Sequence, residues 1–236
     1  MRPLKCVLFV LLPTIDDMTS KRQLNQELAK VETSQPVSMG RGNWLQLERI
    51  SYKDDNNVQR QWERCVRRKE RASNIDAVDI HAILLTPAPE LLLVVQYRPA
   101  IESYCVEFPS GLIDMNEDPV VSAQRELREE TGYDVSLSEF DLVRIPLAYE
   151  PGLSNSCCYV AKVTIDTSTL SAPPAQSLEA DEWSLQVISL PLDNIVNNLL
   201  DLQRSHEGKL IIDSRVYALA CGIAYSQNLR LNTVGR

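Results

Sequence analysis

Gly111, five intervening residues, Glu117, seven more, and then Arg125-Glu126-Leu127-Arg128-Glu129-Glu130-Thr131-Gly132-Tyr133 form the stretch from which the fold is read. Asp118-Pro119 is an N-cap and first-turn signature, Gly132 is a C-terminal stop, and good helix formers lie between them. This predicts a helix from about Pro119 to Thr131. On that helix Glu126 and Glu130 are four residues apart and share a face, with Glu129 on the neighbouring edge. Like charges at this spacing repel by roughly a few tenths of a kcal/mol per pair unless a cation neutralises them. Hard oxygen ligands select Mg²⁺ or Mn²⁺, and Arg125 is placed to pair with Glu129 one turn on. The plain alternative is a solvated, glutamate-rich helix face.

Towards the N-terminus, Val78 to Leu85 and Leu91 to Tyr97 are apolar runs around Thr86-Pro87-Ala88-Pro89-Glu90 and read as two strands. Earlier still, Trp44 to Glu48 and Gln61 to Val66 alternate around the polar turn Lys53 to Asn57, which predicts a β-hairpin. Beyond the helix, Leu142 to Leu147, Ser156 to Ile165 and Trp183 to Ile188 predict strands, and Ser171 to Gln176 a proline-containing loop. Pro191 to Arg204 and Asp213 to Asn228 predict two terminal helices. Strands mixed with few helices, without regular alternation, indicate an α+β domain with a mixed sheet. The expected organisation is a disordered leader over residues 1–40, a small β subdomain over 41–72 and the main domain over 73–230.

The chain has 236 residues, 44% hydrophobic and 24% charged, which suits one globular domain with a smaller appendage. A formal net charge of −8 argues against a nucleic-acid surface. It is no obstacle to acting on a phosphate ester when a divalent cation sits between carboxylates and substrate. The six cysteines show no disulfide or zinc spacing and read as free thiols in a reducing compartment. Adjacent Cys157 and Cys158 read as strand residues facing opposite sides, with a redox switch as the alternative. Arg2 and Lys5 precede an apolar run from Cys6 to Leu12 that is too short to span a bilayer and is followed by no small-residue cleavage site. The expectation is a leader on a cytoplasmic protein, also nuclear, with no membrane partner. A targeting role for residues 1–17 is the alternative, and Met1 and Met18 both stay open as starts.

Gly111, Glu117, Arg125, Glu126, Leu127, Glu129, Glu130, Gly132 and Tyr133 match the fixed positions of the Nudix box, so the chain resembles the Nudix hydrolase family. Gln96-Tyr97-Arg98-Pro99, Tyr104 to Gly111, Glu150-Pro151-Gly152-Leu153-Ser154-Asn155, Val187 to Pro191 and Asp213 to Tyr217 are similar to the ADP-ribose and ADP-sugar pyrophosphatases. The resemblance spans roughly residues 43–224, and the stretch between Tyr133 and Pro151 is a few residues longer than the family pattern. It implies a Nudix α/β/α sandwich on a mixed sheet, preceded by a small N-terminal β-hairpin domain for dimerisation and adenine binding. It also implies a homodimer that uses Mg²⁺, or Mn²⁺, to hydrolyse the pyrophosphate bond of ADP-ribose or a related ADP-sugar to AMP and a sugar phosphate.

Residue by residue, the resemblance gives Glu126 and Glu130 the metal-ligand positions, with the Ser110 carbonyl as a backbone ligand, and gives Arg125 and Glu129 beside them catalytic positions. Glu182 best matches a late-loop carboxylate that serves as general base and metal ligand; Glu179 and Asp181 are its rivals. Such a base must reach the attacking water, not merely be acidic. Trp44 and Trp62 fall where two tryptophans, one from each subunit, hold the adenine, and such stacking contributes about 1 to 3 kcal/mol. Burial in the hairpin core is the alternative for both. Arg67 and Arg98 match positions contacting phosphate or sugar, a role suited to a planar guanidinium, with a surface ion pair as the alternative for each. Glu107 matches a metal-site or substrate position of the family, and its place between Val106 and Phe108 would put it on the opposite strand face from them. Leu112 and Glu150 complete the substrate-binding set.

Two other functions stay open. A non-catalytic Nudix sensor of ADP-ribose would usually lack one or more box carboxylates, all of which are present here. A Nudix hydrolase of an oxidised nucleotide, ADP-glucose or a coenzyme would keep the same box.

Overall fold

The computed structural model describes residues 31–68, 75–169 and 174–234. The leader up to residue 30, with its targeting alternative, Cys6 and Met18, lies outside them, as does the first half of the expected loop Ser171 to Gln176.

An N-terminal sheet is formed by β1 (Val37–Arg41), β2 (Leu45–Lys53) and β3 (Gln59–Arg67), in the order β1-β2-β3. The hairpin closes at a polar turn in which the Asp54 carboxylate accepts from the Asn56 and Val58 amides, each at 2.9 Å. The third strand, β1, was not foreseen, and it begins inside the segment expected to be a leader. Thr33 also bridges Tyr52. Residues 31–37 with Arg49–Glu63 form one compact unit, and Ser38–Glu48 with the chain from Arg64 onward forms a second.

The second unit is built on eight strands: β4 (Ala77–Leu85), β5 (Glu90–Arg98), β6 (Ser103–Glu107), β7 (Ser110–Leu112), β8 (Asp141–Ala148), β9 (Cys157–Asp166), β10 (Gln186–Pro191) and β11 (Leu210–Ile212). Six follow the order β11-β6-β5-β4-β9-β8, with β10 added against β5 and β7 against β4. The sheet is mixed as expected: β4 and β9 run parallel from Ala77↔Cys158 to Leu85↔Asp166, while β5 is antiparallel to β4, β6 and β10. β5 pairs with β4 at Glu90 and Leu91 and with β6 from Val94 onward. The start of β4 is thereby left to β7, which carries the glycine that opens the box.

Among the described residues three helices cover the sheet: α1 (Pro119–Thr131), α2 (Ile195–Ser205) and α3 (Ser214–Val234). Strand alternation assigns them to opposite faces. Leu92 of β5 packs in a cluster with Ala123 and Leu127 of α1, whereas Leu91 and Leu93 pack with Ile195, Leu199, Val216 and Ala220 of α2 and α3. Each such buried aliphatic side chain stabilises the fold by about 1.5 to 3 kcal/mol. The result is the expected α/β/α sandwich.

Some expected boundaries shift. The strand placed at Trp183 to Ile188 begins at Gln186, because a 3-10 turn at Ala180–Glu182 occupies the chain before it. Pro191 ends β10 instead of opening α2, and α3 continues six residues past Asn228, to Val234. Cys157 is half-buried and Cys158 buried, as alternation on one strand requires.

Candidate active site

α1 starts and stops where its sequence dictates. The Asp118 side chain accepts from the Val120 amide at 2.9 Å, Pro119 occupies the first turn, and Gly132 closes the helix at φ 77°. This fixes the rotation of the helix about its axis, which carries Glu126 and Glu130 inward beside Ala123 and Leu127. Glu126 is 8% exposed and Glu130 2%. Gly111 is glycine for a steric reason: a Cβ there would lie 1.9 Å from the Glu126 carboxylate.

Three carboxylates converge, since one oxygen each from Glu126, Glu130 and Glu182 lie within 4.8 Å of one another. Burial pushes Glu130 well above the ordinary carboxylate range; the Ser110 amide, donating to it at 2.9 Å, opposes the shift, and Glu126 and Glu182 add to it. Burial likewise raises Glu126, against Arg125, and raises Glu182, against the amide of Glu179. Two buried carboxylates and a half-buried third that repel one another are what a divalent cation compensates. The residues therefore fit a divalent cation.

Arg125 differs from the expectation in its partners. It reaches Glu129 at 3.3 Å, but it also grips Glu117 through two contacts of 3.1 and 3.0 Å and Glu126 at 2.6 Å, and donates to the Leu112 carbonyl at 3.2 Å. Its guanidinium, helped by the Ser122 hydroxyl, holds the Glu117 carboxyl down at about 2. Arg125 thus ties the loop after Gly111 to the helix, whose i,i+4 pair with Glu129 is the longest of these ion contacts.

The loop bearing Glu182 is fastened at both ends. At its start Gly132 packs against Ala175, the Ser177 amide donates to the Glu129 carbonyl at 2.8 Å and the Gln176 side chain to the Glu130 carbonyl at 2.7 Å. At its far end the Tyr97 amide donates to Ser184 Oγ at 2.9 Å. Between these anchors the Glu182 carboxylate accepts from the Glu179 amide at 2.8 Å, so Glu182 is turned inward.

These groups open onto a cavity of about 1110 Å³. Its lining brings together Arg67, Arg98, Ser110, Leu112, Arg125, Glu126, Glu130, Glu150 and Glu182 from the sequence-derived set, and also the rivals Glu179 and Asp181. Glu129 is not among the lining residues. Neither is Glu107, which stands behind Arg98 and accepts from it at 3.0 and 2.6 Å and from Gln96 at 3.1 Å. As expected, Glu107 faces away from Val106 and Phe108, which sit in the cluster under α2 and α3. Trp44 is 84% exposed and Trp62 51%, so neither is a core residue of the hairpin.

One part of the cavity wall was missed. Tyr149, Asp213 and Arg215 line it, together with Asp76 and Ser156. Arg215 forks onto Asp213 at 2.9 and 2.6 Å, pairs with buried Asp79 and lies 4.5 Å from the Tyr149 ring, while the Tyr149 hydroxyl donates to Asp79 at 2.7 Å. The available signal was Asp79 itself, an acid inside the apolar run of β4, since a buried carboxylate demands a partner.

Comparison with known proteins gives a consistent picture. Residues 77–199 match the model of the NUDIX domain. The chain is 32% identical over 189 residues to the ADP-sugar pyrophosphatase of Mus musculus, covering 79% of this chain and 84% of that protein. It is 31% identical over 194 residues to the ADP-ribose pyrophosphatase of Saccharomyces cerevisiae, covering 80% of each. Among solved structures, an ADP compounds hydrolase superposes with a TM-score of 0.54 at 22% identity, over 75% of this chain and 85% of that one, a likeness of fold.

Proposed function

The chain belongs to the Nudix family, and from that premise we propose that it hydrolyses the pyrophosphate bond of ADP-ribose or a related ADP-sugar to AMP and a sugar phosphate. The observation that carries this reading is the convergence of Glu126, Glu130 and Glu182 on one cavity whose wall also presents Arg67 and Arg98.

In this reading Glu126, Glu130 and Glu182, with the Ser110 carbonyl, would hold Mg²⁺ or Mn²⁺, which would supply neutralisation of phosphate charge and a lowered pKa for water. Arg67 and Arg98 bind the pyrophosphate oxygens, and Glu107 keeps the Arg98 guanidinium turned towards them. Glu182 takes a proton from the attacking water, the water oxygen bonds to one phosphorus, and the bridging oxygen leaves with the other phosphate. Arg125 and Glu129 keep the carboxylates of α1 in register. Leu112 and Glu150 border the substrate, and Trp44 and Trp62 hold the adenine, one from each subunit of a homodimer acting in the cytoplasm. The exposure of both indoles supports that role. Among the described residues no helix is long and apolar enough to cross a membrane.

The deciding experiment measures phosphate release from ADP-ribose, coupled to a phosphatase that acts on AMP and ribose phosphate but not on the intact substrate. Magnesium-dependent turnover that disappears in Glu130→Gln is expected. Tight ADP-ribose binding without turnover would favour a sensor instead.

A further inference from the structure

We infer that Ser184 is a positioning residue for Glu182, setting where the loop carboxylate stands relative to the two carboxylates of α1. The inference rests on the role proposed above for Glu182. β10 pairs with β5 in a register that runs from Pro191↔Glu90 to Gln186↔Val95. Two residues further in the same register, residue 184 would stand opposite Tyr97, with its backbone carbonyl accepting the Tyr97 amide. The ladder does not run that far. The Tyr97 amide donates instead to Ser184 Oγ at 2.9 Å, while the Leu185 amide turns back to the Glu182 carbonyl at 2.8 Å.

A side chain has thus replaced the backbone as acceptor at the last rung. The consequence is geometric: the main chain leaves the sheet two residues after Glu182 without leaving the Tyr97 amide unpaired. Ser184 is 8% exposed, so water is a poor substitute for its hydroxyl. Its partner is also informative, because Tyr97 directly precedes Arg98 on β5. The other end of the same loop is fastened to the Glu129 and Glu130 carbonyls of α1. Glu182 is therefore held between the helix that carries Glu126 and Glu130 and the strand that carries Arg98. A loop free at Ser184 would keep its helix anchor and swing the carboxylate.

The test is a double-mutant cycle on the full chain, with Ser184→Ala made alone and in the Glu182→Gln background, and kcat and KM for ADP-ribose measured at saturating Mg²⁺. Alone, Ser184→Ala should lower kcat about fivefold, the size of one lost hydrogen bond, with KM changed less than about twofold. In the Glu182→Gln background the same substitution should have no further effect on the residual rate, because the group it positions is gone. An equal drop in both backgrounds would show a general structural role and overturn the inference, as would full activity of Ser184→Ala. Wild-type turnover in Glu182→Gln alone would instead remove Glu182 from the reaction, and the positioning role with it.

Discussion

Glu126 and Glu130 are ionisable groups held almost out of water, and Gly111 is the residue that makes room for one of them. A methyl group at 111 must displace the Glu126 carboxylate, so Gly111→Ala should raise the Mg²⁺ concentration needed for half-maximal turnover while leaving the thermal melt of the metal-free protein within a few degrees. Titrating Mg²⁺ against turnover in the two proteins checks this, and an unchanged requirement would break the link between Gly111 and the site. Glu182→Gln should lower kcat by about a hundredfold or more, the usual contribution of a general base. The same substitution in Glu179 or Asp181 should cost little, which separates the three acids of that turn.

At the scale of the element, α1 carries the chemistry and its ends hold it in rotation. Removing the Asp118 cap by substitution to Ala should destabilise the protein by about 1 kcal/mol. Gly132→Ala should cost more, because φ is 77° and the added Cβ would lie 2.3 Å from the Ala175 amide nitrogen, where the Glu182 loop begins. Urea denaturation gives both values, and the order of the two is the informative result. Leu127 packs fully buried on the sheet face opposite α2 and α3. Its truncation to Ala should remove about 2 to 5 kcal/mol, measured in the same way.

For the molecule as a whole, stability should depend on pH in two opposed ways. Glu126, Glu130 and Glu182 have raised folded values, so what they contribute is present below the ordinary 4.5 and is lost as pH rises through their raised values. Glu117 runs the other way: held at about 2 by Arg125, it stabilises above 4.5 and loses that contribution as pH falls towards 2. Metal-free protein should therefore melt lower at roughly pH 8 than at roughly pH 5, and added Mg²⁺ should raise the melting temperature more at the higher pH. An equal response to Mg²⁺ at both pH values would count against the three carboxylates as its ligands.

Reading the residues in order was enough to place α1 from Pro119 to Thr131, the strand pairs around it and the box carboxylates, because caps, helical spacing and strand alternation are local properties of the chain. The resemblance of the box and its neighbours added the family. Local pattern could not show that Arg125 holds Glu117 and Glu126 more closely than Glu129, because the loop after Gly111 meets the helix only once β7 has paired with β4. Nor could it show Arg215 between Asp79 and Asp213, where one partner is 136 residues away, or the Ser184 hydroxyl on Tyr97 across 87 residues. Such contacts exist only when distant segments have folded against one another, since a buried charge or amide takes whichever partner the tertiary structure brings to it.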